Sequence, residues 1–181
     1  MLTCVIASVG YENLNVGRNE YEYHADALKT DLMKTIAQLY LMGVTDFYVN
    51  CEYGIPLWTA EILCELPAFR KAKLHIAVPY EEHTSDWFED WRERYYKAHE
   101  KAESVHIPRT FGIENECGEL AEDSYKLSDD RDPYEVCDEY MVDTSDLVLV
   151  FGCEDDNLYI AKYAKLKGIQ VHYSDVKVFA K

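Results

Sequence analysis

The strongest constraint on this chain is an alternation. Short, unbroken apolar runs take turns with longer segments of helical period. Residues 2–7, 46–50, 74–78 and 147–151 are rich in Val, Ile, Leu and aromatic side chains, with no apolar–polar alternation. A strand covered on both faces needs apolar groups on both, so these runs predict buried parallel strands. Two weaker strands are expected at 103–107 and 170–173.

Helical spacing fills the gaps. Leu28, Leu32, Ile36, Leu39 and Tyr40 recur along 24–41, and Gly43 follows as a helix-ending glycine. Residues 56–66 open on a proline, a favoured first-turn residue. Thr84, Ser85 and Asp86 are cap candidates for a helix over 85–101. Helices at 134–144 and 157–167 complete the order β-α-β-α-β-α-β-loop-α-β-α-β. That order predicts an α/β fold, a Rossmann-like three-layer sandwich with a mostly parallel central sheet. With 181 residues the chain fits one domain. Its long irregular stretch, about 108–133, reads as an acidic loop insertion.

Charge narrows the function. The chain carries 34 acidic against 18 basic residues, a formal net charge of -16. Polyanion binding draws on clustered Lys and Arg, so no nucleic-acid partner is expected, and an anionic membrane would be repelled. No run approaches the roughly 18 apolar residues of a membrane span, and the first ten residues lack a basic leader. A cytoplasmic location is the expectation. Six cysteines (Cys4, Cys51, Cys64, Cys117, Cys137 and Cys153) show no C-x-x-C spacing, which predicts free thiols and no metal site. Trp58, Trp87, Trp91, Tyr95 and Tyr96 form a stripe suited to a core or a subunit interface, which leaves a homo-oligomer open.

In an open parallel sheet, ligands bind beyond the carboxyl ends of the strands. Three strand-to-helix junctions lie there: Ser8-Val9-Gly10-Tyr11, Asn50-Cys51-Glu52-Tyr53-Gly54, and Gly152-Cys153-Glu154-Asp155-Asp156-Asn157. At the second, Gly54 would let backbone approach a ligand, and the next helix would offer N–H groups to a phosphate or ribose. The alternative is a tight turn only. At the third, two acids oppose a phosphate, and capping by Asp156 or Asn157 is the favoured reading.

The segment VNCEYGIPLWTAEIL resembles the signature ending G-x-D-x-W-A-A-E of the YpsA-like branch of the SLOG superfamily. LHIAVPYEEHTSDW and YMVDTSDLVLVF are similar to further family segments, and the resemblance covers nearly the whole chain. It implies a Rossmann-like fold. Through the related LOG enzymes and DNA-processing protein A, it also implies a nucleotide-type or ADP-ribose-like small ligand. Gly54, Trp58 and Glu61 match the first motif; Asp143, Ser145 and Asp146 match MVD-x-SD. Cys51 takes the place of a motif glycine, Pro56 that of its aspartate, and Asp155-Asp156-Asn157 that of a Gly-Gly-Thr phosphate loop. The LOG catalytic glutamate has no clear counterpart in that loop.

The expected ligand-binding set is therefore Gly10, Cys51, Gly54, Trp58, Glu61, Asp143, Cys153 and Asn157. Binding or sensing of a nucleotide derivative leads. A LOG-type N-glycosidic hydrolase with Glu61 as its candidate acid, and a degenerate protein-interaction scaffold, are the alternatives.

Overall fold

A computed structural model describes residues 2–14, 16, 20, 23–108 and 132–175. Six strands form one sheet: β1 (Leu2–Ser8), β2 (Val44–Val49), β3 (Lys73–Ala77), β4 (Ser104–His106), β5 (Leu147–Phe151) and β6 (Gln170–Ser174). Every neighbouring pair is parallel, in the order β4-β3-β2-β1-β5-β6. This is the Rossmann-like arrangement the alternation predicts. The insertion expected at about 108–133 lies almost wholly outside the described residues.

Five helices flank the sheet: α1 (Tyr23–Leu41), α2 (Ile55–Glu65), α3 (Glu89–Lys101), α4 (Pro133–Asp143) and α5 (Tyr159–Leu166). One core joins Phe47, Val49, Leu74 and Ile76 to Leu28, Leu32 and Ile36 of α1, Leu57 and Trp58 of α2, and Tyr95 of α3. A second core joins Val5, Val148 and Val150 to Cys137, Met141 and Val142 of α4 and Ile160 and Ala164 of α5. Opposite sides of the same strands feed the two cores, which is why the runs read as unbroken apolar sequence.

Two helix starts differ from expectation. α3 begins at Glu89, four residues past the predicted start, because 80–87 is a series of tight turns. Those turns bury His83 and Thr84, at 6% and 2% exposure. α5 begins at Tyr159, because Asn157 adopts a left-handed conformation at φ 57° and ends the single 3-10 turn Glu154–Asp156.

The topology fixes where a crevice can form. β1 to β4 run outward in one direction, and β5 then returns to the other side of β1. Strand order therefore reverses between β1 and β5.

Candidate functional site

At the reversal point the two loops close on each other. The Val9 N–H donates to the Phe151 carbonyl at 3.0 Å. A Cβ on Gly152 would lie 3.0 Å from Val9 Cγ1 and 3.1 Å from Asp156 Oδ2. The Asp156 carboxylate accepts the Cys153 N–H at 2.7 Å and so closes the short turn Glu154–Asp156. It does not cap α5, the role the capping reading expected of Asp156 or Asn157, because α5 starts after Leu158 with no side-chain cap. At Gly10 the Glu12 carboxylate folds over the backbone, into the space a Cβ would take. Gly10, Cys153 and Asn157 thus sit at the carboxyl edge, with acids beside them where a phosphate loop would present bare N–H groups.

The β2–α2 junction is built differently. Cys51, fully buried, holds φ 54°, a left-handed conformation that suits glycine. Burial, and then Cys64 and Glu61, push the thiol well above its ordinary pKa, as befits a small core residue. Gly54 has φ 107° and ψ -137°, a region essentially closed to side chains. A Cβ there would also press on Leu14 at 3.1 Å and Tyr11 at 3.2 Å. The space above Gly54 is therefore taken by the chain's own side chains. Tyr53, 7% exposed, stacks on Trp91 and meets Tyr11 edge-on at 4.4 Å between centroids. Phe88 packs edge-on against Trp91, and its ring is 44% exposed.

Immediately beside this stack, four donors converge on one acid. Glu20 Oε1 accepts from Trp58 Nε1 at 2.9 Å, from Arg94 Nη1 at 2.8 Å and from the Tyr53 hydroxyl; Lys29 Nζ donates to Oε2. The donors come from α1, the β2–α2 loop, α2 and α3. The Glu20 side chain is 8% exposed. Burial alone would raise its pKa, but the bonds from Arg94, Lys29, Tyr53 and Trp58 outweigh that and hold it down to about 2.

Arg94 is fixed a second time. Its Nε and Nη2 donate to the two Glu61 oxygens at 2.6 and 2.8 Å, a bidentate fork. Burial would lower the guanidinium pKa, yet the two carboxylates raise it above its ordinary value. A groove of about 400 Å³ runs between α1 and α2. Lys29, Trp58 and Glu61 line both groove and cluster, and Met33, Ile62 and Leu66 supply its apolar wall.

The α4 side of the same edge is acidic. Asp138 is pushed up to about 8, first by burial and then by the charges of Glu52, Asp132, Glu135 and Glu139. Glu52 is raised as well, by burial and by Glu12, against a hydrogen bond with Asn50. Among the described residues, no group of three or more His, Cys, Asp or Glu side chains is placed to hold a metal ion.

Gly54, Trp58 and Glu61 are thus brought together with Cys51 behind them. Asp143 is not. It ends α4, just before β5 starts, at the amino edge of the sheet, and its oxygens meet the Tyr163 hydroxyl at 3.2 Å and Lys167 Nζ at 2.8 Å. The neighbouring Asp146 accepts from the Thr3 N–H at 2.8 Å and hydroxyl at 2.9 Å. Within the MVD-x-SD segment, Asp146 therefore pins the start of β5 to β1. Glu20, Lys29 and Arg94 were not among the residues singled out in the sequence. A faint signal was present for Arg94, which follows Trp91 by three positions and so shares its helix face.

Comparison with known proteins agrees with the fold. The sequence profile of the YpsA family, described as the YspA SLOG family, matches residues 6–174. A UPF0398 protein of Listeria monocytogenes serotype 4b is 28% identical over 89 residues, covering 46% of this chain and 47% of that protein. A UPF0398 protein of Staphylococcus haemolyticus is 34% identical over 83 residues, 44% of each. The matched segments span about half the length of these relatives. Among solved structures, DNA processing protein A from Helicobacter pylori, studied for its single-stranded DNA binding mode, superposes with a TM-score of 0.51. At 12% identity, with 98% of this chain and 70% of that one covered, the likeness is one of fold. Among the described residues, no helix is long and apolar enough to cross a membrane.

Proposed function

Because this chain belongs to the YpsA family of the SLOG group, we propose that it binds a nucleotide-derived small ligand at the carboxyl edge of the sheet, as a sensing domain. One observation carries the assignment. Tyr53, Trp58, Lys29 and Arg94 meet on a single anion beside the motif residues Gly54 and Glu61. Two cations and two neutral donors facing one point make a seat for an acidic group, with Arg94 suited to phosphate by its planar fork. The adjoining groove is within the usual size range of small-ligand sites, about 300–1,000 Å³. The exposed Phe88 ring, against Trp91, supplies an aromatic surface for a base.

The seat favours binding over hydrolysis. Glu61 gives both oxygens to Arg94, and an acid held in a bidentate ion pair is a poor proton shuttle. Single-stranded DNA is the second reading, since the structurally similar Helicobacter protein binds it. The net charge of -16 and the carboxylates Glu12, Glu52 and Asp138 along the same edge oppose a polyanion.

Thermal-shift and calorimetric titration with ADP-ribose, NAD, AMP and a short single-stranded DNA oligonucleotide separate these readings. Stabilisation by at least one of the three small molecules is expected, growing to about 2.7 kcal/mol at a hundredfold excess over Kd, and lost in Arg94→Gln. Binding of the oligonucleotide alone would move the assignment to nucleic acid. No stabilisation by any of the four at millimolar concentration would overturn it.

A further inference from the structure

Glu20 stands apart from the framework that surrounds it. Arg94 has a second anchor besides Glu20, since both Glu61 oxygens accept from it. Tyr53 is held by its stack on Trp91, and Trp58 is 1% exposed in the core. Lys29 lies over the Trp58 ring, 4.9 Å from its centroid. Glu20 reaches in from the connection after β1, beside Tyr11, with a left-handed backbone at φ 56°. Its hydrogen-bonded partners Tyr53, Trp58 and Arg94 lie 33, 38 and 74 positions away in sequence.

The charges point the same way. With Glu20 in place, Arg94 and Lys29 balance Glu20 and Glu61. With Glu20 withdrawn, two cations face one carboxylate, and the seat carries a net positive charge in partly buried surroundings. Tyr53 and Trp58 would each lose an acceptor. Such a vacancy demands an anion with several acceptor oxygens. A phosphate monoester has three, and the groove shared by Lys29, Trp58 and Glu61 can take the rest of the molecule.

We infer that Glu20 is a built-in competitor: its carboxylate holds the seat of a ligand's phosphate group, and the ligand binds by exchange with it. The inference rests on the assignment of this cluster as the ligand seat and adds its regulation. An internal anion lowers apparent affinity by the fraction of molecules in which the seat is open. It thereby sets a concentration threshold, and it rejects neutral analogues, which cannot replace the lost charge.

The test compares wild type with Glu20→Gln by calorimetry at fixed ionic strength, using AMP and inorganic phosphate as probes. Glu20→Gln should bind AMP at least tenfold more tightly than wild type, and the double variant with Arg94→Gln should lose that gain. A parallel gain with inorganic phosphate assigns the effect to the phosphate alone; a gain with AMP only assigns the nucleoside a share of the contact. Equal AMP affinity in wild type and Glu20→Gln overturns the competitor and leaves the binding assignment standing. No AMP binding by either overturns the competitor and, where ADP-ribose and NAD fail as well, the binding assignment with it. Hydrogen–deuterium exchange of the wild type gives a readout that needs no variant. The peptide carrying Glu20 should exchange faster with AMP bound, and unchanged or slower exchange in a complex shown to form would contradict displacement.

Discussion

Single residues at this edge divide into acids that are satisfied and acids that are crowded. Glu20 is satisfied by four donors, and its low pKa means that its contribution to stability is present above about pH 4.5 and fades toward about pH 2. Asp138 is the opposite case. Burial and the facing charge of Glu52 lift it to about 8, so the folded state binds a proton that the unfolded chain releases near the ordinary value of 3.8. For a raised acid, the favourable contribution is complete below the unfolded pKa and is lost as pH rises through the folded one. Asp138→Asn should therefore leave stability nearly unchanged near pH 4 and raise it at about pH 9, by a few kcal/mol, with the thermal midpoint rising by several degrees. Melting curves across that range check it. A variant that loses stability at the alkaline end would show that Asp138 is held as a charged partner.

At the scale of elements, the β2–α2 turn is the piece that places the seat. Cys51 and Gly54 both take positive φ, which swings Tyr53 toward Glu20 and starts α2 so that Trp58 and Glu61 follow. Gly54→Ala combines a forbidden backbone conformation with contacts on Leu14 and Tyr11. A loss of about 2–4 kcal/mol is expected in urea unfolding, and at a matched folded fraction, AMP binding should weaken as well. This turn was legible beforehand in part. Gly54, Trp58 and Glu61 carry local signals, a glycine before a helix and a motif spacing. The other half of the cluster carries only the faint signal of Arg94. Glu20, Lys29 and Arg94 lie on three separate segments, and only the packing of α1, α2 and α3 along one face of the sheet brings them together. The helix starts of α3 and α5 were missed for a related reason: burial of His83 and Thr84, and the left-handed Asn157, override the local capping signals.

At the scale of the whole molecule, the alternation of apolar runs and helical segments was enough to predict the parallel sheet and its flanking layers, since a strand buried on both faces has few other ways to be written. The strand order was not, and it determines which junctions share a crevice. It leaves Asp143 where any parallel sheet puts a residue between a helix and the next strand, at the amino edge, and not with the ligand as a short motif read alone had it. It also separated two kinds of carboxyl edge: an acidic, self-capped one where β1 meets β5, and a donor-rich one over α2. The central claim is that the second of these receives the acidic group of a nucleotide-type ligand, and the Trp58 indole reports on it directly. Titration of the ¹⁵N-labelled protein with AMP should move the Trp58 Nε1–H resonance along a saturable curve while that of Trp87 stays in place. Saturable AMP binding that leaves Trp58 unmoved would contradict the account.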